Sequence, residues 1–305
     1  MMKVYWSNCG VFNNFQKITR NEKYSEKLIK KFPERQEFPE DNDSKIGTDL
    51  GVGVSSRKNI SGPANPLLHF TRTSIFSVNR LRVETWNINT LQAKSLELST
   101  ELSKYKIQVA CIQETRWKRQ KASVLKGYKL WYAGLDGKRS GVSILVANDI
   151  LKQVVEVRRC NDRIMLVRMV VGEEVISIIS AYVTQVGLDE EVKREFWENL
   201  GNVIDTIPAD EKVFIGRDFN GHIGKEVVNY KSVHGSFGYG VGNESGEILL
   251  EFTLANDLII ENSIFRKKDE HLITYKSGEH AIQIDYCLVR KDDRSRAGYR
   301  DAHPT

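Results

Sequence analysis

The sequence predicts an α/β sandwich, with two β-sheets packed face to face and helices outside. Three observations predict it. Strand-like apolar runs alternate with helical segments from about Leu81 to Arg290. These runs number about ten against three helices, too many strands for a simple βαβ wrap. Several of the runs end on, or enclose, a short polar residue, an asparagine or an acid, as when rigid sheets carry a site on their ends.

The elements follow in order. LRVETWNI reads as a strand, and AKSLELSTELSKYK as a helix with Leu91, Leu98 and Tyr105 on one face. QVACIQE is a buried strand, followed by the strand-like runs YKLWYAG, GVSILVA, DRIMLVRMVV and EVISIISAYV. Asp189 is placed to cap a helix whose apolar positions are Val192, Phe196, Leu200 and Val203. KVFIGRDF is a further strand and SGEILLEFTLAND a helix, followed by DLIIENS, HLITYKS and AIQIDYCLV as strands. Trp131 and Trp197 fit core periods.

The flanks read differently. Residues 1–80 hold four of the six prolines, Pro33, Pro39, Pro63 and Pro66, and little periodicity, so they are expected to form a mostly disordered or loosely packed extension. Residues 291–305 read as a polar tail. The net charge of +5, from 45 Lys plus Arg against 40 Asp plus Glu, permits a polyanionic partner without requiring one. The four cysteines form no C-x-x-C pair, which argues against a zinc or redox motif. Cys111 and Cys287 fall in apolar runs and should be buried. No secretory leader and no apolar run of membrane-spanning length is present, so an intracellular place, nuclear or cytoplasmic, is expected.

The residues suited to chemistry are Asn87, Glu114, Asp218 with Asn220, and Asp285. A phosphodiester needs a metal to neutralise its oxygens, a base to orient water and donors to steady charge. Glu114 suits the metal and Asp218 the water. Asn87, Asn220 and the Tyr182 hydroxyl suit positioning. A basic-aromatic run, Arg116, Trp117, Lys118 and Arg119, follows Glu114. It reads either as a DNA-backbone contact or as a solvated loop with Trp117 tucked into the core. His222 reads as a loop histidine bonded to backbone, and His234 as part of a flexible glycine-rich surface loop.

The motifs TWNINTL, CIQETRW, SGVSILVA, SAYVTQVG, IGRDFNGHIG and QIDYCLV occur in that order over residues 81–290. Together they resemble the endonuclease/exonuclease/phosphatase superfamily. KREFWENL and NESGEILLEFTLANDLIIENSIF resemble its branch in non-LTR retrotransposon endonucleases and craniofacial development protein 2-like proteins. The resemblance implies a four-layer α/β sandwich, two mixed sheets flanked by helices. It implies a Mg²⁺-dependent DNA endonuclease, with Mn²⁺ as the alternative ion. Glu114 and Asn87 would then be metal residues, and Asp218, Asn220, Tyr182 and Asp285 catalytic, with Arg116 and Trp117 against substrate. Asp285 would orient a histidine on a final strand. No such strand follows Asp285 here, and His303 stands in no strand pattern. The C-terminal strand or strands are therefore expected to be missing, and activity impaired. The alternative is an inactive transposon-derived chain that binds DNA or a partner. Arg217 replaces the small or uncharged residue usual before the aspartate, and is expected to point outward.

Overall fold

The structure is a computed structural model that describes residues 11–12, 81–135, 141–183, 190–225, 229–277, 280–293 and 297–298. The expected cap Asp189, His303, the side chain of Arg217, and all of the 1–80 extension except Val11–Phe12 lie outside the described residues.

Strand β1, Val11–Phe12, pairs antiparallel with a short strand at Ala297–Gly298. The first large sheet is built from one contiguous stretch of chain. It contains β2 (Val83–Asn87), β3 (Val109–Gln113), β4 (Arg119–Leu125), β5 (Tyr128–Gly134) and β6 (Val142–Ala147), in the order β2-β3-β6-β5-β4. The second contains β7 (Val154–Arg159), β8 (Ile164–Val171), β9 (Glu174–Tyr182), β10 (Lys212–Asp218), β11 (Leu258–Ile260) and, after a small hairpin of β12 (Tyr275–Ser277) and β13 (His280–Ile282), β14 (Asp285–Arg290). Its order is β11-β14-β10-β9-β8-β7. Both sheets are mixed, since β2–β3 and β9–β10 are parallel pairs among antiparallel ones. The last strand among the described residues, Ala297–Gly298, is β15.

Helix α1 (Ser95–Lys104) covers the outer face of the first sheet. Leu98 and Leu102 pack there on Leu91, Ala110, Ile112 and Leu130. Helices α2 (Glu190–Asp205) and α3 (Glu244–Ala255) cover the outer face of the second, through Phe196, Leu200, Val203, Leu249 and Leu250. The layers therefore run helix, sheet, sheet, helices, as expected. Trp131 is fully buried, and Trp197 stacks on Phe219 at 5.6 Å, both in structural roles. Cys111 and Cys287 are fully buried.

The inner faces of the sheets meet closely at Gly216. A Cβ there would lie 2.9 Å from Thr85 Cβ and 3.1 Å from Cys111 Cβ, so only a glycine lets β10 pass under β2 and β3. Gln113, in the same layer, donates from Nε2 to Thr85 Oγ1, Ser180 Oγ and the Gly216 carbonyl at 3.1–3.3 Å. A buried amide satisfied from both sheets fixes their register better than an apolar contact, which tolerates sliding.

Three expectations are corrected. RQKASVL and VVEVRR form β4 and β7, which the sequence pattern passed over. HLITYKS is not one strand. His271 and Leu272 close the four-residue helix α4 (Asp269–Leu272), and the strand starts only at Tyr275. The glycine-rich segment at His234 is not a loose surface loop. His234 is 1% exposed and bridges in parallel to Ile260, with Nδ1 accepting from the Ser236 amide at 2.9 Å. The His222 amide donates to Asn243 Oδ1, the same oxygen that caps α3 through the Gly246 amide.

Burial holds the His234 imidazole neutral, with its pKa pushed from 6.5 down to about 4 against a smaller opposing pull from the Gly224 backbone. A depressed folded pKa contributes stability that is full above 6.5 and is lost as pH falls through about 4. The loss should reach about 3 kcal/mol. Urea melts of the wild type and His234→Asn at neutral and acid pH measure it. An equal acid loss in the variant would refute the assignment to His234.

Candidate active site

Register alone assembles half of the site. β9 and β10 are parallel with Asp218 beside Tyr182, and β10 and β14 are antiparallel with Asp218 beside Asp285. Tyr182, Asp218 and Asp285 therefore form a row across the end of the second sheet. In the first sheet β2 and β3 are parallel with Asn87 beside Gln113, and Glu114 follows directly. Glu114 turns the chain with φ +53°, Arg116 with +55° and Asn220 with +48°, a cluster of left-handed residues that are not glycine. Such strain persists where surrounding contacts hold it, and it concentrates at functional sites.

Hydrogen bonds join the two halves. Asn87 Nδ2 donates to Glu114 Oε1 and to Asp218 Oδ2, each at 2.8 Å, and so bridges carboxylates from different sheets. The Tyr182 hydroxyl donates to Glu114 Oε1 at 2.9 Å. Asn220 donates from its backbone to Asp218 Oδ1 and from Nδ2 to the Val183 carbonyl, both at 2.9 Å, which ties the loop after β10 to the end of β9. Arg116 faces Glu114 Oε2 at 3.7 Å and also donates to Asn89 Oδ1. Trp117 packs edge-on to Tyr132 with ring centroids 4.9 Å apart, against the first sheet's outer core.

The structure thus brings Asn87, Glu114, Tyr182, Asp218 and Asn220 into one connected network. Asp285 stands next to Asp218 in register but outside that network. Its Oδ1 is buried with no hydrogen-bond partner among the described residues. Burial pushes its carboxyl well above the usual range, and the charges of Asp218 and Glu114 push the same way, against a hydrogen bond to Thr274. Burial, Glu114 and Asp218 likewise raise the Tyr182 hydroxyl, which keeps its proton and remains a donor.

The donor set fits a hard divalent cation. Glu114, Asp218 and Asp285 offer carboxylate oxygens, Asn87 an amide oxygen, and Asp285 Oδ1 is an orphaned acceptor in a site rich in negative charge. Among the described residues no group of three or more His, Cys, Asp or Glu stands arranged to enclose a metal. An ion here would therefore be held by one or two carboxylates and keep water ligands.

Two residues escaped the sequence reading. Gln113 locks the floor of the site, and its signal was an amide ending an otherwise apolar strand. Arg163 sits beside Tyr182, whose amide donates to the Arg163 carbonyl at 2.9 Å. It was read only as the start of a strand.

Residues 85–302 match the Endonuclease/Exonuclease/phosphatase family, which spans the whole network. The chain belongs to this family. Over 217 residues the chain is 27% identical to craniofacial development protein 2 of Bos taurus, covering 70% of this chain and 36% of that protein. The match thus spans about a third of the length of the curated relative. Among solved structures, an AP endonuclease from Archaeoglobus fulgidus shares the fold with a TM-score of 0.53 at 17% identity, over 70% of this chain and 88% of the other. The endonuclease domain of TRAS1, a telomere-specific non-LTR retrotransposon, aligns with a TM-score of 0.48 at 19% identity, over 70% and 86%. No helix among the described residues is long and apolar enough to cross a membrane.

Proposed function

We propose that the chain is a Mg²⁺-dependent phosphodiester hydrolase that cuts DNA in the manner of a retrotransposon endonuclease. The observation that carries the reading is Asn87 bridging Glu114 and Asp218 at 2.8 Å each, which holds two carboxylates of separate sheets at one point. Glu114 with Asn87 would hold the ion. When bound, Mg²⁺ or Mn²⁺ neutralises the phosphate oxygens. Asp218, fixed by the Asn220 amide, orients water and accepts its proton. The protonated Tyr182 hydroxyl is a donor for a phosphate oxygen, and Arg116 beside Glu114 faces the substrate, while Trp117, packed on Tyr132, serves to hold that segment.

Supercoiled plasmid should be nicked by the purified chain with Mg²⁺ and left intact with a chelator. Identical nicking in both conditions would count against the metal-assisted mechanism.

A second reading, that the chain binds DNA or a partner without cutting it, is favoured by the orphaned Asp285 Oδ1. The family resemblance puts a histidine against that oxygen, and among the described residues none bonds to it. Retained DNA binding with no Mg²⁺-dependent nicking would select this reading.

A further inference from the structure

We propose that Glu261 and Asn262 are positioning residues for Asp285: Asn262 holds the strand that carries it, and Glu261 loosens that hold when it gives up its proton. The proposal rests on the phosphodiesterase reading and makes the alignment of that site depend on pH.

The two residues open a 3-10 turn, Glu261–Ser263, directly after β11. β11 pairs with β14 from Leu258 opposite Arg290 to Ile260 opposite Leu288, and the pairing stops there, short of Asp285. The Asn262 side chain continues the ladder in place of a backbone. Its Oδ1 accepts from the Cys287 amide and its Nδ2 donates to the Asp285 carbonyl, each at 3.1 Å. Asn262 is buried, so water does not compete for these bonds. On the other side β14 pairs with β10, which sets Asp285 beside Asp218. Asp285 therefore sits between the strand of Asp218 and one amide side chain.

Glu261 is 1% exposed, and neither of its carboxyl oxygens has a hydrogen-bond partner among the described residues. A carboxylate removed from water needs donors or a close cation, so this place suits the protonated acid. Burial pushes its pKa from 4.5 up to about 7, against a smaller downward pull from the Lys267 charge. Lys267, on the segment after the turn, acts on Glu84 of β2 as well, and Asp285 of β14 raises Glu84 in turn. His234, bridged to Ile260, is held neutral. Ser263 fastens the far end of the turn, where its Oγ accepts from the Gly235 amide at 3.0 Å and its carbonyl from the Phe237 amide at 3.1 Å. An ionised Glu261 reaches water only if the turn moves, and the turn is bonded to β14 through Asn262. Loss of the proton thus strains the bonds that seat Asp285.

The test compares the wild type with Glu261→Gln, which keeps the shape of the protonated acid and cannot ionise, from about pH 6 to about pH 9. A raised folded pKa contributes stability that is full below 4.5 and is lost as pH rises through about 7. Urea melts should show the wild type losing stability over that range relative to the variant. Amide exchange at Asp285 and Cys287, corrected for the intrinsic rate, should quicken with pH in the wild type and not in the variant. In Mg²⁺-dependent nicking, kcat of the variant relative to wild type should climb about tenfold over the same range, with the KM ratio level. Asn262→Ala should lower kcat throughout and cancel the pH-dependent advantage of Glu261→Gln in the double variant. Glu261→Met serves where Glu261→Gln fails to fold, and the exchange comparison needs no Asn262 variant. A kcat ratio flat with pH, or exchange at Asp285 and Cys287 that is the same in both proteins, would overturn the proposal. Absent nicking with the exchange difference intact sinks the hydrolase reading alone.

Discussion

Glu114→Gln is expected to abolish measurable Mg²⁺-dependent cleavage, lowering the rate by about 10²–10⁴-fold, or about 3–5 kcal/mol in barrier. The substitution is nearly isosteric. Its amide oxygen can still accept from Asn87 Nδ2 and the Tyr182 hydroxyl, both of which point at Oε1. The bridge between the sheets therefore survives, and only the negative charge and one acceptor are removed. The melting temperature should change little. Plasmid nicking and thermal melting, measured on the same preparation, separate chemistry from folding. Wild-type cleavage in the variant would remove Glu114 from the mechanism.

Gly216→Val should produce the largest loss of stability, about 3 kcal/mol or more, because it overpacks a rigid interface. The contacts an added Cβ meets are the Cβ atoms of Thr85 and Cys111, at 2.9 and 3.1 Å. Neither belongs to a flexible chain end that could swing away. Relief requires the sheets to part, which also breaks the Gln113 bond to the Gly216 carbonyl and moves Asn87 relative to Asp218. Denaturant melts would show the loss, and Gly216→Ala should show a smaller loss in the same direction. A variant as stable as wild type would mean that the sheets are not held at this spacing.

Much of this was legible in the sequence, for a physical reason. Asn87, Glu114, Tyr182, Asp218 and Asp285 each bound an apolar strand, and a polar residue at such a place stands out against a period of two. The elements that escaped lack that contrast. Edge strand β4 is mostly exposed or half-buried, so RQKASVL carries no buried face for hydrophobicity to mark. Leu272 and Ile273 look like the start of a strand, but Leu272 is the buried position of a single helical turn. His234 lies among glycines, and its burial comes from Ile260, well along the chain, which no local pattern encodes. Arg163 was invisible as a site residue because its neighbour across the ladder, not its neighbour in sequence, gives it meaning.

Each large sheet is one unbroken stretch of chain, the first ending at Ala147 and the second starting at Val154. Asn87 and Glu114 come from the first, and Tyr182, Asp218, Asn220 and Asp285 from the second. Neither half can make the network alone. A chain severed between Ala147 and Val154 would yield two inert fragments, and any recovery of function on mixing them would report their docking. Cleavage would then be an assay for assembly as well as for chemistry.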